Sequence, residues 1–335
     1  MCYNLCAIIP MGFATLKKKI NRLKDAKKTY KVKTSFLGSF WLFISFAIRR
    51  LFFKINEIDF YELSLYKKSL IECSKYFVGR FEHKFVDHFD DLNKRCKWNG
   101  KPFLYQNMSE FINRDYLLTS SMSYKNFEQF CSKHNEFILK PIDQCCGIGV
   151  RKIKVFNENL NEIYNNLKKE NSIIEEVVIE CDYLSKICPA SLNTVRVFTL
   201  KIDRNVYYIG ACLRIGNGRD VIDNYSSGGF VVALDKEGKA IADAENMFCE
   251  RFTNHPVTGA HFKSIEIPQW DKLLDFINRC ALKIELNYVA WDIAITKNGF
   301  ILIEANPHGM GNVIQIAGAP PRKKQYKELY KLSFK

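Results

Sequence analysis

Two acids and an amide near the C-terminal end are the residues whose types and spacing point most clearly to chemistry. Two apolar runs flank an Asn-Gly pair, which favours a β-hairpin; Asp292 lies before the turn, and Glu304 and Asn306 lie after it. A two-residue turn at 298–299 would put an isoleucine opposite Glu304. A three-residue turn at 297–299 puts Asp292 opposite Glu304, with Asn306 on the same face. This second register, which we expect, pairs isoleucines across the strands: Ile293 with Ile303, and Ile295 with Ile301.

Carboxylates about 5 Å apart on neighbouring strands repel each other unless a proton or a cation lies between them. Mg²⁺ prefers hard oxygen ligands and usually completes its shell with waters and substrate phosphates. Asp292, Glu304 and Asn306 therefore predict a magnesium site that a nucleotide would complete. The alternative is a pair of acids at a strand edge that face solvent.

A second candidate site begins with Lys140, which ends an apolar strand and would be costly to bury without an anion. The loop that follows contains Gly147 and Gly149, whose backbone N–H groups can approach phosphate oxygens closely. Lys152 closes the segment and is a further candidate for nucleotide binding. The pattern is neither a P-loop nor a dinucleotide fingerprint, and an ordinary β-turn is the alternative.

Two further segments carry polar residues next to apolar strands. Acids follow the run at 173–178, which in isolation favours a solvated strand end. Arg196 and Arg214 lie on later strands, and a Gly-rich turn containing Asn224 follows. Arginines at such positions suit negative charge that develops during group transfer, although a surface ion pair fits this segment equally well.

Length and composition limit the class of protein. The 335 residues, 47% of them hydrophobic, are enough for two or three packed lobes and exclude a disordered chain. Twelve cysteines include no C-x-x-C pair, so we expect reduced cytosolic thiols, not a zinc ribbon. Short β-branched runs mixed with amphipathic helices from residue 135 onward predict an α+β architecture.

Charge is concentrated at the N-terminus. Residues 1–54 contain twelve basic residues and one acid, whereas the whole chain has a net charge of +14. The apolar stretch Phe36–Ile48 lies within this arm and, at about 13 residues, is too short to cross a bilayer unaided. We expect either an interfacial anchor on anionic lipid through residues 17–54 or a buried helix with a solvated basic flank. No signal peptide and no nucleic-acid partner are expected; the predicted location is the cytoplasm, at the inner membrane face if the anchor forms.

Together these motifs resemble the ATP-grasp superfamily. The resemblance rests on ILKP, CCGIG, IIEEVV, WDIAI and IEANP. The strings NTVRV, RIGNGRDVIDNYSSGG, HPVTG and YVAWDIAIT are similar to the sugar-transfer-associated ATP-grasp family, found with cell-surface polysaccharide genes, over roughly residues 85–312. The resemblance implies a nucleotide held between two α+β subdomains. The expected layout is a basic arm at 1–54, a mainly helical lobe at 55–135, a small subdomain at 136–180, a large subdomain at 181–320 and a basic tail at 321–335.

The resemblance also implies an ATP-dependent carboxylate-amine ligase that uses ATP and Mg²⁺ and acts on a small molecule or glycan precursor. Its implied nucleotide contacts are Lys140 on phosphate, Gly147–Gly149 in the lid loop, Glu175, Glu176 and Val178 at the adenine, and Asp182 at the ribose. Its implied metal ligands are Asp292, Glu304 and Asn306; its implied catalytic residues are Arg196 and Arg214 for charge, and Asn224 on the acceptor side.

Two departures from the family pattern affect these expectations. Cys145-Cys146 replace small residues in the loop, and no motif marks the upstream phosphate lysine, for which Lys94 or Arg95 is our prediction. An ATP-grasp phosphotransferase and a nucleotide-free scaffold that binds membrane or nucleic acid remain as alternative functions.

Overall fold

The computed structural model describes residues 13–144, 147–155, 159–218 and 228–334, with side chains described from residue 20 onward. Within these ranges the chain forms helices and two antiparallel sheets, so the predicted α+β class is confirmed. The helices are α1 (Phe13–Thr29), α2 (Phe36–Phe53), α3 (Glu57–Glu62), α4 (Leu70–Cys73), α5 (Gly79–Phe89), α6 (Leu92–Asn99), α7 (Lys101–Asn107), α8 (Ser109–Ile112), α9 (Tyr124–Lys133), α10 (Leu160–Leu167), α11 (Asp182–Ser185), α12 (Trp270–Lys283) and α13 (Lys323–Leu332). The strands are β1 (Tyr116–Leu118), β2 (Glu136–Pro141), β3 (Arg151–Lys154), β4 (Ser172–Glu176), β5 (Thr194–Ile202), β6 (Asn205–Ile215), β7 (Phe230–Leu234), β8 (Ala244–Asn246), β9 (Arg251–Phe252), β10 (Tyr288–Thr296) and β11 (Gly299–Asn306).

The small sheet has the strand order β1-β4-β2-β3. Alternate residues of β2 and β4 point to one face, where Phe137, Leu139 and Ile174 pack against Phe127 and Phe130 of α9. The opposite face of these strands carries Lys140 and Glu175. One face of the small sheet is therefore a core, and the other is free to line a site.

The large sheet has the strand order β11-β10-β5-β6-β7-β8-β9. One face, which includes Val195 and Ile293, packs against α12, whose buried side chains recur every three or four residues. The other face carries Phe198 and Tyr288 and packs against the N-terminal helices and α13. Because side chains alternate along a strand, this second face also receives the polar residues of β5, β6 and β10.

The C-terminal tail is part of the core. Residues 321–335, expected to form a basic tail, contain α13, whose Tyr326 is buried and stacks on Phe77 with ring centroids 3.4 Å apart. Tyr326 also shares a 3.0 Å hydrogen bond with Tyr288. The lysines of α13 obscured this apolar side in the sequence.

The α2 helix extends beyond the apolar stretch seen in the sequence. It begins at Phe36, ends at Phe53, and buries only Phe46 and Arg49, so a buried helix is the wrong interpretation. Among the helices in the described part of the chain, α2 is the single one that is both long enough and apolar enough to cross a membrane, judged by length and composition alone. The 13-residue estimate was short because the helix continues through Arg49 and Arg50.

The β10–β11 hairpin has a different turn from the one predicted, although Asp292 does face Glu304. Thr296 pairs with Gly299 across a two-residue loop, and its hydroxyl donates to the Gly299 carbonyl at 3.0 Å and accepts from the Asn298 N–H at 3.2 Å. The register shifts at a bulge, because Ile303 lies between the pairs Asp292–Glu304 and Ile293–Leu302 without a partner of its own on β10, and this shift restores the acid pairing. The predicted isoleucine pairs are wrong, and the observed pairs are Ile293 with Leu302, and Ile295 with Phe300.

Candidate active site

Asp292 is the centre of an ion cluster on the large sheet. Its neighbours Trp291 and Ile293 point into the apolar core on the opposite face. Arg196, its partner on β5, donates from Nε and Nη2 to the two Asp292 oxygens at 2.6 Å each. Arg214 of β6 donates from Nη1 to Oδ2 at 2.9 Å. Sheet register alone thus brings one carboxylate and two guanidinium groups together.

The charges of this cluster compensate one another. Burial alone would raise the pKa of Asp292, but Arg196 and Arg214 outweigh burial and hold the pKa below its ordinary value. Burial would likewise lower the pKa of Arg196, and the Asp292 carboxylate raises it instead. Two guanidinium groups thus supply positive charge beside this acid, and Asp292 is ionised at neutral pH.

Glu304 and Asn306 complete an oxygen-rich set suited to Mg²⁺. Within the described part of the chain, the Glu304 carboxylate has neither a hydrogen bond nor an ion pair. The Asn306 amide donates from Nδ2 to the Ala290 carbonyl at 3.3 Å and to Asp292 Oδ2 at 3.4 Å. Two carboxylates and an amide on one face are the hard donors that Mg²⁺ selects, and among the described residues nothing pairs with the Glu304 carboxylate through a hydrogen bond or an ion pair.

A second ion cluster lies on the small sheet. Glu175 of β4 binds the ammonium group of Lys140 and accepts a hydrogen bond from the Tyr105 hydroxyl. Arg114 donates to the same carboxylate from Nε at 3.0 Å and from Nη2 at 2.8 Å, and to the Leu302 carbonyl of β11 at 2.8 Å. Arg114 therefore links the two sheets through one buried side chain.

This second cluster corrects the expected role of Glu175. Burial alone would raise the pKa of its carboxyl, but Arg114 and Lys140 lower it to about 2. The pKa of Lys140 is raised because the attraction of Glu175 exceeds the cost of burial. The anion that accompanies the buried lysine is thus Glu175 itself, and its carboxylate is occupied by cations instead of lying open at an adenine pocket.

The glycine loop beside Lys140 has the backbone that its sequence predicts. Gly147 and Gly149 both have φ near +74°, a conformation that residues with a Cβ rarely adopt. A Cβ on Gly149 would lie 2.9 Å from Pro141 Cγ. Cys145 and Cys146 lie outside the described residues. Lys152, on β3, pairs with Glu136 at 2.8 Å.

The segment after β4 contributes different acids from those expected. Glu176 accepts a hydrogen bond from the Asp115 N–H at 3.1 Å, and Val178 follows it along the cavity wall. Asp182 is exposed and pairs with Lys297 at 3.1 Å, so the structure does not bring it into the cavity. Glu180 lines the cavity instead and accepts from Asn193 Nδ2 at 2.8 Å.

Two lysines upstream of the small sheet take different positions relative to the cavity. Lys94 is exposed and pairs with Asp91 of its own helix, outside the cavity. Lys101, at the start of α7, lines the cavity and donates to the Gln144 carbonyl at 2.5 Å. Lys101, not Lys94, is therefore the upstream lysine that the structure brings to the cavity. Its position at a helix start carries no motif, which is why the sequence did not reveal it.

Arg95 acts on the cavity indirectly. It is buried, pairs with Asp87 at 2.6 Å, and donates to His308 Nδ1 at 3.0 Å. Burial, helped by the charge of Arg95, lowers the pKa of His308 to about 4, so this cavity-lining histidine is neutral at pH 7. The proton then resides on Nε2, because Nδ1 accepts from Arg95.

One cavity of about 670 Å³ joins these groups between the two sheets. Gly149 and Asp182 are not among its lining residues, and Asn224 lies outside the described residues. The predicted residues that line it are Lys140, Gly147, Lys152, Glu175, Glu176 and Val178 on the small sheet's side, and Arg196, Arg214, Asp292, Glu304 and Asn306 on the large sheet's side.

Several solved structures are similar to this chain. The ATP-grasp ligase PsnB, in complex with a minimal precursor, Mg and ADP, is 16% identical over 74% of this chain and 62% of that chain, with a TM-score of 0.46. The D-alanine-D-alanine ligase of Helicobacter pylori is 14% identical over 70% and 60%, with a TM-score of 0.42. This chain thus spans less than two thirds of the length of either. A search of curated proteins finds no match.

A match to a family model shows which protein family the chain belongs to. The family model is described as sugar-transfer associated ATP-grasp and matches residues 111–328, a range that holds the β4–α11 segment, both ion clusters apart from Tyr105, and the β10–β11 hairpin. The protein therefore belongs to the sugar-transfer-associated ATP-grasp family.

Proposed function

We propose that this protein is an ATP-dependent carboxylate-amine ligase that acts on a carboxylated sugar or an amino acid during the synthesis of a cell-surface polysaccharide. The observation that carries the proposal is the cavity between the sheets. On one wall, the oxygen donors Asp292, Glu304 and Asn306 lie beside two arginines, and on the other wall lies Lys140. The family's description supports the link to sugars.

The described residues would have distinct tasks. Glu304 and Asn306, with Asp292, would hold Mg²⁺, which when bound neutralises phosphate charge. Arg196 and Arg214 would bind anionic oxygens on the same side, since each guanidinium carries more N–H groups than Asp292 can accept. Lys140, held charged by Glu175, would bind phosphate from the opposite wall.

The proposed reaction has two steps. A carboxylate oxygen of the first substrate attacks the γ-phosphorus of ATP, and the bond to the β–γ bridging oxygen breaks to give an acyl phosphate and ADP. The amine of the second substrate then attacks the acyl carbon, the carbon–oxygen bond to phosphate breaks, and the amine proton is released with inorganic phosphate. The product is an amide. Arg196 and Arg214 would stabilise the negative oxygens that form in both steps.

The test measures product identity with the purified full chain. Uronic acids, sugar nucleotides and amino acids are supplied with Mg-ATP, and ADP, phosphate and amide are quantified with and without an amine. The ligase releases ADP and phosphate in equal amounts, and hydroxylamine traps its intermediate as a hydroxamate. ADP release with a stable phosphorylated sugar and no free phosphate would instead establish the phosphotransferase.

Two variants separate the site from the rest of the chain. Glu304→Gln should abolish ADP release because it removes the proposed metal ligand whose carboxylate has no ion pair with any residue that the structure describes. Glu266→Gln removes the same charge from an exposed pair with Lys239, 3.3 Å away, and should leave turnover unchanged. Normal turnover by Glu304→Gln would contradict the metal assignment.

A further inference from the structure

The α2 helix presents its most apolar side to solvent. Leu37, Trp41, Ile48 and Leu51 follow one another at spacings of four, seven and three residues, so they share one side of the helix. Between 39% and 70% of each side chain is exposed, and Phe36 at the start of the helix is 90% exposed. A helix on a soluble domain normally shows the reverse pattern, and a continuous exposed apolar stripe marks an interaction site.

The opposite side of α2 is attached to the body of the protein. Phe46 packs edge-on against Phe60 of α3, with ring centroids 5.2 Å apart. Arg49 is buried; it donates to Ser45 Oγ at 2.6 Å and to the Lys68 carbonyl. A helix fixed in this way along one side exposes only its other side, over a length of about 27 Å. Such a helix suits a partner that is a flat apolar layer, not one that surrounds it.

A cluster of lysines adjoins the start of α2. Five lysines and Val32 line an open cleft of about 420 Å³ formed by the end of α1 and the connection to α2. Lys27 donates to Thr34 Oγ1 at 2.6 Å and to Ser39 Oγ at 2.7 Å, which ties the cleft to the first turn of α2. Lys31 pairs with Glu250 at 3.6 Å. The cleft lysines are Lys24, Lys27, Lys28, Lys31 and Lys33.

We propose that α1 and α2 form a docking surface for an anionic phospholipid bilayer. The apolar stripe of α2 lies in the plane of the membrane and enters the boundary between headgroups and acyl chains, while the lysine cleft binds lipid phosphates. Charge complementarity selects this partner, because anionic lipid headgroups would pair with the lysines while the acyl chains bury the adjoining apolar stripe. A nucleic acid would neutralise the lysines but leave the stripe in water.

The chain contains its own fluorescent reporter of this interaction. Of its four tryptophans, Trp98, Trp270 and Trp291 are buried and Trp41 lies in the stripe. Vesicles of phosphatidylcholine and phosphatidylglycerol should shift the tryptophan emission to the blue, and Trp41→Phe should abolish the shift. Lipids brominated near the headgroup should quench Trp41 more strongly than lipids brominated at the chain ends.

Matched variants test each part of the surface by vesicle flotation. Lys24→Gln/Lys28→Gln removes two cleft lysines that have no ion pair within the described residues, and it should weaken binding about 25-fold, about fivefold per lysine. Lys125→Gln/Lys169→Gln removes equal charge from the small-sheet lobe and should leave binding unchanged. Leu37→Ser/Leu51→Ser should likewise weaken binding, whereas Leu92→Ser/Leu282→Ser, exposed leucines of α6 and α12, should not. Circular dichroism verifies that each variant is folded.

Four outcomes would overturn the proposal. The first is absence of flotation with anionic vesicles, and the second is equal binding to pure phosphatidylcholine vesicles, which would exclude recognition of charge. The third is loss of binding in the control pairs to the same extent as in the test pairs. The fourth is retention in membranes after alkaline carbonate extraction with deep quenching of Trp41, which would indicate a spanning helix.

Discussion

Replacing Asp292 with Asn would remove one charge from the centre of a buried ion cluster. The Asp292 side chain is 2% exposed, and it accepts hydrogen bonds from both Arg196 and Arg214. The variant removes the carboxylate that these two guanidinium groups share. Glu304→Gln makes the same chemical change on the facing strand, at a carboxylate without an ion pair in the described part of the chain.

The structure gives the size of the expected difference in unfolding free energy between the two variants. Removing one partner of a buried ion pair costs about 3–5 kcal/mol of unfolding free energy. The side chains of Arg196 and Arg214 are 18% and 8% exposed, so water screens part of the repulsion between them, and we expect the low end of this range, about 3 kcal/mol. That loss corresponds to a decrease in Tm of roughly 6–12 °C. Glu304→Gln should change the unfolding free energy by less than about 0.5 kcal/mol.

Urea unfolding at pH 7 without nucleotide, followed by circular dichroism, measures both variants against the unaltered protein. We expect Asp292→Asn to be much less stable and Glu304→Gln to be unchanged, although both lose Mg-ATP turnover. If Asp292→Asn is as stable as the unaltered protein, the ion cluster does not hold the sheet together, and our reasoning about its charges is refuted.

Three further predictions concern pH and backbone. Arg114 and Lys140 lower the pKa of Glu175 to about 2, although burial alone would raise it. The Glu175 carboxylate therefore contributes to stability above about pH 4.5, and this contribution disappears as the pH falls toward 2. Glu175→Gln should remove this part of the acid dependence of the urea midpoint. Burial, with neighbouring acids, raises the pKa of Asp59 to about 7 and those of Glu62 and Glu82 to about 8. The unfolding free energy should therefore fall as the pH rises from about 4.5 to 8. If the urea midpoint of Glu82→Gln depends on pH as strongly as that of the unaltered protein, this prediction is contradicted. Gly149→Ala should weaken ATP binding about five- to thirtyfold, which is the factor that corresponds to about 1–2 kcal/mol of left-handed backbone strain. Gly259 has a similar φ of +75° and, among the described residues, no atom within 4 Å of an added Cβ. Gly259→Ala should therefore bind ATP normally in the same calorimetric titration.

The sequence was sufficient to place candidate residues on a common face where all of them lie in one short segment. Asp292, Glu304 and Asn306 belong to a single hairpin, and strand alternation fixed their common face. It was insufficient for the turn, where the Thr296 hydroxyl closes a two-residue loop, and for β11, where Ile303 forms a bulge. The correct acid pairing thus resulted from two errors that cancelled each other, one in the length of the turn and one in the missed bulge.

Residues that meet only after folding could not be found from motifs. Arg114 reaches Glu175 across 61 residues and also binds the Leu302 carbonyl, yet its surrounding sequence has no pattern that indicates a site. Lys101 is likewise an isolated lysine at the start of a helix. For α2, the sequence left both interpretations open because apolar residues occur on all sides, and the contacts of Phe46 with Phe60 and of Arg49 with the Lys68 carbonyl fix which side faces solvent.

The central claim is that Mg-ATP binds in the cavity through Glu304 and its neighbours, and thermal unfolding with and without ligand tests it most directly. Mg-ATP at 100 times its dissociation constant should add about 2.7 kcal/mol to the unfolding free energy of the unaltered protein. Chelation of Mg²⁺ or the Glu304→Gln change should remove most of this gain. No stabilisation by Mg-ATP, or equal stabilisation of Glu304→Gln, would contradict the account.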